Sequence, residues 1–110
     1  MDDQFDPPAH LTARTQALWR SVVPKRAKTP ERLAMLQTSL EALDRADGAR
    51  AEVERTGMTT TTKTTGAVHL HPLLKVERES RQLFSKLWKD LGLHTSPEDP
   101  KWNVLERDWR

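Results

Sequence analysis

The chain has 110 residues, no cysteine, 35% hydrophobic and 31% charged residues, and a net charge of +2. That length suits one domain with a modest core, and the polar balance predicts an extended or oligomeric helical protein rather than a compact enzyme. Disulfides and thiolate metal sites are excluded, no apolar run approaches the roughly 20 residues of a membrane span, and the acidic opening MDDQFDPP does not read as a signal peptide, so the expected compartment is the cytoplasm.

A first helix is predicted from about Ala9 to Val22. Pro7 and Pro8 precede it, and Pro24 disfavours helix at Val23. Leu11, Leu18 and Val22 are its apolar positions, with Trp19 beside them. Residues 11–30 carry Arg14, Arg20, Lys25, Arg26 and Lys28 with no acid, a local charge of +5. The basic turn then meets a strong start signal: Thr29 as cap, Pro30 at the first helical position and Glu31 at the positive end of the helix dipole.

The second helix is predicted from Pro30 to about Arg55. Leu33, Leu36, Leu40 and Leu43 make one apolar stripe. Ala46, Ala49 and Val53 extend it with smaller side chains that admit a close helical neighbour. Gly48 weakens the middle by about 1 kcal/mol relative to Ala and leaves room for a bend, and Gly57 suits a left-handed cap. Between Thr59 and Thr65 stand six threonines, β-branched residues that favour strand over helix. A short hairpin and a mobile loop both fit this segment.

The third helix is predicted with His71 as cap and Pro72 as first residue, running to Leu91, and Gly92–Leu93 reads as a Schellman ending. Val76, Leu83, Leu87 and Leu91 form one stripe. Leu73, Phe84 and Trp88 form a second, rotated stripe. One serves the packing against the second helix and the other, Leu73, Phe84 and Trp88, is expected at an oligomer interface; a single broad intramolecular face is the plainer alternative. Lys75, Arg78, Arg81, Lys86 and Lys89 make this helix basic. Residues 97–110 form a separate tail in which Pro97 and Pro100 break structure and Trp102, Leu105 and Trp109 then share a helical face, suited to docking on another protein or back on its own subunit.

Motifs for chemistry are few. There is no phosphate-binding G-x-x-x-x-G-K-[ST] loop and no dinucleotide fingerprint. His69 and His71 are at most half of a metal site without a third ligand, so neither metal nor cofactor is expected. Glu77 and Glu79 read as surface charges on different faces. No catalytic residues are expected. The basic zones suit phosphate contacts but offer no evident base readout, and on charge alone solvated helix surface is the plainer reading.

The order of features carries a resemblance. PPAHLTARTQALWRSVVP is similar to the opening helix of phage terminase small subunits. LEALDRADGARAEVERTG resembles that family's long second helix. HLHPLLKVERESRQLFSKLWKDLGL resembles its most distinctive stretch: His-Pro, leucines, a Glu-Arg pair, a basic amphipathic helix and Leu-Gly-Leu. The resemblance implies a protein that binds viral DNA at the packaging site. It implies a homo-oligomeric ring, whose head-to-tail closure needs two different apolar sides. It implies a large-subunit partner that owns the ATPase and nuclease, and action in the host cell cytoplasm.

The expectation is therefore an all-α, non-enzymatic, ring-forming adaptor. A long antiparallel helical hairpin plus an N-terminal helix fills residues 1–96, with the Thr-rich loop or short β-hairpin between helices 2 and 3, and a tail at 97–110. The expected DNA contacts are Arg14, Arg20, Lys25, Arg26, Lys28, Lys75, Arg78, Arg81, Lys86 and Lys89, and Trp102, Leu105 and Trp109 are expected to dock the large subunit. The rival is a helical scaffold or regulatory protein of phage or prophage origin that binds no DNA.

Overall fold

The computed structural model describes residues 5–61 and 66–95. Three helices dominate: α1 (Ala13–Val22), α2 (Pro30–Thr56) and α3 (Leu73–Asp90), with two short strands, β1 (Thr59–Thr61) and β2 (Val68–Leu70), between α2 and α3. The strands pair antiparallel, Thr59 opposite Leu70 and Thr61 opposite Val68.

The helix ends follow from local chemistry. Thr29, extended at φ −81° and ψ 153°, caps α2 by accepting from the Arg32 N–H, and Pro30 opens the helix. Gly57 ends it at φ +96° and ψ 157°, a region that a Cβ closes to other residues. Beyond α3, Gly92 turns to φ +76°, the Gly92 N–H reaches the Lys89 carbonyl at 2.8 Å and the Leu93 N–H reaches Trp88 at 3.0 Å. These are the two bonds of a Schellman motif, and buried Leu93 supplies its apolar contact.

Two boundaries differ from expectation. Helix α1 starts at Ala13, not Ala9, because Thr12 is the residue that caps it, its hydroxyl accepting from the Thr15 N–H. Helix α3 starts at Leu73 with Pro72 as its cap residue. His71 still serves the helix start: its Nδ1 accepts from the Leu73 N–H at 3.1 Å, which requires the proton of the neutral ring on Nε2.

The apolar core sits at one end of the molecule. Leu11, Trp19, Val22, Ala27, Leu36, Leu40, Leu91 and Leu93 are buried together, and Leu18, Val23, Leu33, Met35, Phe84 and Trp88 pack half-buried against them. The end of α3 is fastened there by two guanidinium groups. Arg26 donates to the carbonyls of Gly92 (2.8 Å) and Thr95 (2.6 Å), and Arg32 donates to that of Leu91 (2.6 Å) and to that of Arg26 (2.8 Å). Cations belong at a helix C-terminus, where the carbonyls lack helical partners.

Away from that core, α2 and α3 meet through small and polar groups. Ala42, Ala46, Ala49 and Val53 of α2 are buried. Ser39 donates to the Phe84 carbonyl, Arg45 to Ser80 Oγ and Arg50 to Glu77. The partner numbers fall along α3 as they rise along α2, so the two helices run antiparallel.

Candidate nucleic-acid interface

The charged residues divide into those that build the fold and those left facing solvent. Glu77 belongs to the first group. It was expected on the surface, yet it is only 8% exposed. Its position on α3, seven residues before Phe84 and three before Ser80, is on the side that faces α2. Arg50 grips it at 2.8 Å and Arg81 at 3.0 Å. The Glu77 carboxyl titrates below its ordinary range, chiefly because Arg50 donates to it; burial opposes this and Arg81 adds to the lowering. Arg81 also reaches Asp47 at 3.3 Å, and Asp47 takes Arg14 at 2.7 Å. Five charges thus link all three helices.

Helix α1 is seated on α2 by a ladder of acids one turn apart. His10 meets Glu41 at 2.7 Å. Asp44 accepts from the Thr12 N–H (3.1 Å), the Thr12 hydroxyl (2.7 Å) and the hydroxyl of fully buried Thr15 (2.9 Å). Asp47 takes Arg14. The Glu41 carboxyl also lies below its ordinary range, owing first to the Gln37 amide and then to His10.

The ten cations proposed from sequence for DNA contact therefore part company. Arg14 and Arg81 are spent on Asp47 and Glu77, and Arg26 is spent on backbone carbonyls. Lys75 faces Glu79 at 3.8 Å and Lys86 faces Asp90 at 2.9 Å, both on the exposed surface, where such pairs contribute little. Arg20, Lys25, Lys28, Arg78 and Lys89 are exposed and have no side-chain partner among the described residues.

The structure brings Lys75, Arg78, Lys86 and Lys89 together on the outer face of α3. Positions 75, 78, 82, 86 and 89 advance by 3, 4, 4 and 3 residues, so they form one stripe along the helix, and every one is exposed. Arg78 and Arg81 are one helical turn apart, yet Arg81 turns toward Glu77 and Asp47 while Arg78 stays in the outward stripe. Gln82, in the middle of the stripe, had not been singled out. Its signal was present in the same spacing, but only the direction of the buried face shows that 82 lies outward. Arg20, Lys25 and Lys28 lie elsewhere, at the end of the molecule where α1 turns into α2.

The expected interface residues have mixed settings. Phe84 and Trp88 turn toward the chain's own core, their rings 5.2 Å apart, and Leu73 is half-buried. Of the other stripe, Leu91 is buried, Val76 and Leu87 are half-buried and Leu83 is exposed; Val76 and Leu83 line a shallow cleft with Arg45, Glu79 and Ser80. Trp102, Leu105 and Trp109 lie outside the described residues. Among the described residues no three His, Asp or Glu side chains converge to hold a metal ion, and no helix is long and apolar enough to cross a membrane.

The cationic outer face of α3 is an arrangement that can meet a phosphate backbone. The family model of the phage terminase small subunit matches residues 15–99, and the chain belongs to that family, membership of which points to a role in phage DNA packaging. No curated protein and no solved structure matches the chain.

Proposed function

We propose that the protein is a non-catalytic adaptor that binds duplex viral DNA at the packaging site and hands it to the ATPase and nuclease large subunit during capsid filling in the host cytoplasm. The observation that carries the reading is the outward stripe of Lys75, Arg78, Lys86 and Lys89 on a chain of this family. Phosphates replace the weak surface partners of Lys75 and Lys86, while Arg78 and Lys89 have none to give up among the described residues. Arg20, Lys25 and Lys28 form a second cationic area for DNA that runs past the α1–α2 turn. Arg14, Arg26 and Arg81 serve by holding the fold.

The working form is a head-to-tail homo-oligomeric ring. Leu73, Phe84 and Trp88 keep part of their apolar surface in solvent beside the core, and Val76 and Leu83 do so on the neighbouring flank of α3; a heterologous interface needs two different sides. The tail, through Trp102, Leu105 and Trp109, docks the large subunit, since tryptophans anchor small interfaces.

Light scattering after size exclusion, followed by an electrophoretic shift with duplex DNA, tests the reading. An oligomer that shifts DNA and hydrolyses no ATP is expected. An oligomer that leaves DNA unshifted at low salt favours the rival, a scaffold that binds protein alone; a monomer at micromolar concentration removes the ring.

A further inference from the structure

Phosphate contacts place a protein on DNA without reading its sequence, which is read at base edges. The outer face of α3 has residues of both kinds, in an order that matters. Along the stripe stand Lys75, Arg78, Gln82, Lys86 and Lys89, with Ser85 beside it, all exposed. Arg78, Gln82 and Ser85 have no partner among the described residues. Arginine and glutamine are the side chains whose donors and acceptors match the major-groove edges of guanine and adenine, and serine pairs with either.

The dimensions fit a groove. At 1.5 Å per residue, Arg78 to Ser85 spans roughly 10 Å and Lys75 to Lys89 roughly 21 Å. The major groove is about 12 Å wide and admits one α-helix. With the helix seated in the groove at an angle, outward stripe toward the floor, the middle three side chains face base edges. Lys75 at one end, and Lys86 and Lys89 at the other, fall over the two phosphate backbones. The nearest acids on the helix, Glu79 and Asp90, lie to one side of the stripe and are already matched to Lys75 and Lys86. Helix α2 packs on the opposite side of α3, where Glu77 and Ser80 are buried, so it leaves the outward stripe clear.

We infer that α3 is a major-groove recognition helix, in which Arg78 and Gln82 read bases, Ser85 adds a contact, and Lys75, Lys86 and Lys89 hold the flanking phosphates. This rests on the DNA-binding reading above and goes beyond it by assigning specificity to named residues.

Selection from a library of duplexes with a randomised central segment, using the full-length protein at low salt, tests the inference. A short consensus containing guanine and adenine within about three or four base pairs is expected. Arg78→Lys, which keeps charge but loses the bidentate fork, and Gln82→Ala should each weaken binding to the selected duplex by roughly 5- to 150-fold. Neither should change affinity for a scrambled duplex more than about twofold. Lys75→Gln, Lys86→Gln and Lys89→Gln combined should weaken both duplexes alike. All are exposed, so unchanged melting temperatures serve as the folding control. Binding without a consensus, or a consensus indifferent to Arg78→Lys and Gln82→Ala, overturns the inference and leaves the DNA-binding reading standing. Absence of DNA binding at low salt removes that reading, and the inference with it.

Discussion

Asp44→Ala should loosen α1 from the rest of the protein. The Asp44 carboxylate of α2 takes two groups of Thr12 and the hydroxyl of fully buried Thr15 at the start of α1. A hydrogen bond to a charged group is worth about 1.5–3 kcal/mol when well shielded, and an exposed one less. The Thr15 hydroxyl keeps an alternative acceptor in the Thr12 carbonyl at 3.2 Å, which limits the cost of its lost partner. Losing the negative charge beside the N-terminus of α1 adds a few tenths of a kcal/mol. The sum is about 2–3 kcal/mol. For a domain of this size that lowers the melting temperature by roughly 10–20 °C. Asp44→Asn, which retains one carbonyl acceptor, should fall between variant and wild type. Thermal unfolding followed by circular dichroism measures both. An Asp44→Ala melting temperature within 2 °C of wild type would refute the assignment of Asp44 as the anchor of α1.

Three further outcomes follow from the same packing. Gly48→Ala should stabilise the protein by up to about 1 kcal/mol, read from the denaturant midpoint, because the site is mid-helix and an added Cβ meets nothing within 4 Å. Stability should decline as pH falls below about 4.5, because the Glu77 carboxyl is held below its unfolded value of 4.5. A group with a depressed folded pKa contributes above the unfolded pKa and loses that contribution as pH falls through the folded one; Glu77→Gln should flatten this slope while lowering stability at neutral pH. Arg26→Ala should lower the melting temperature, since it frees the Gly92 and Thr95 carbonyls, and leave the salt dependence of DNA binding unchanged, whereas Lys25→Ala with Lys28→Ala should do the reverse.

Much of the helical layout was legible in the sequence because its punctuation is local. Thr29–Pro30, Gly57 and Gly92–Leu93 each mark a helix end by backbone chemistry that needs no tertiary partner. The start of α1 was misjudged because Thr12 owes its place partly to Asp44, 32 residues away. The same limit governs the charges. Glu77, Arg81 and Arg14 look on paper like Glu79, Arg78 and Arg20, and only the facing of α2 and α3 decides which are consumed in the ion-pair network around Glu77 and Asp47. The two apolar stripes of α3 were both visible, but the inward direction was not: it is set by Leu91, Glu77 and Ser80, two of them polar residues that a hydrophobicity pattern assigns to solvent.

The salt dependence of duplex DNA affinity bears most directly on the claim that the outer face of α3 is the DNA-binding surface. Each phosphate neutralised contributes about 0.9 to the slope of log affinity against log salt. A variant with Lys75, Arg78, Lys86 and Lys89 all replaced by Gln should keep its oligomeric state and melting temperature. Its slope should be shallower by roughly 3 per engaged subunit, from the phosphates held by Lys75, Lys86 and Lys89. A variant that folds and assembles normally yet binds DNA with the wild-type slope would contradict the account.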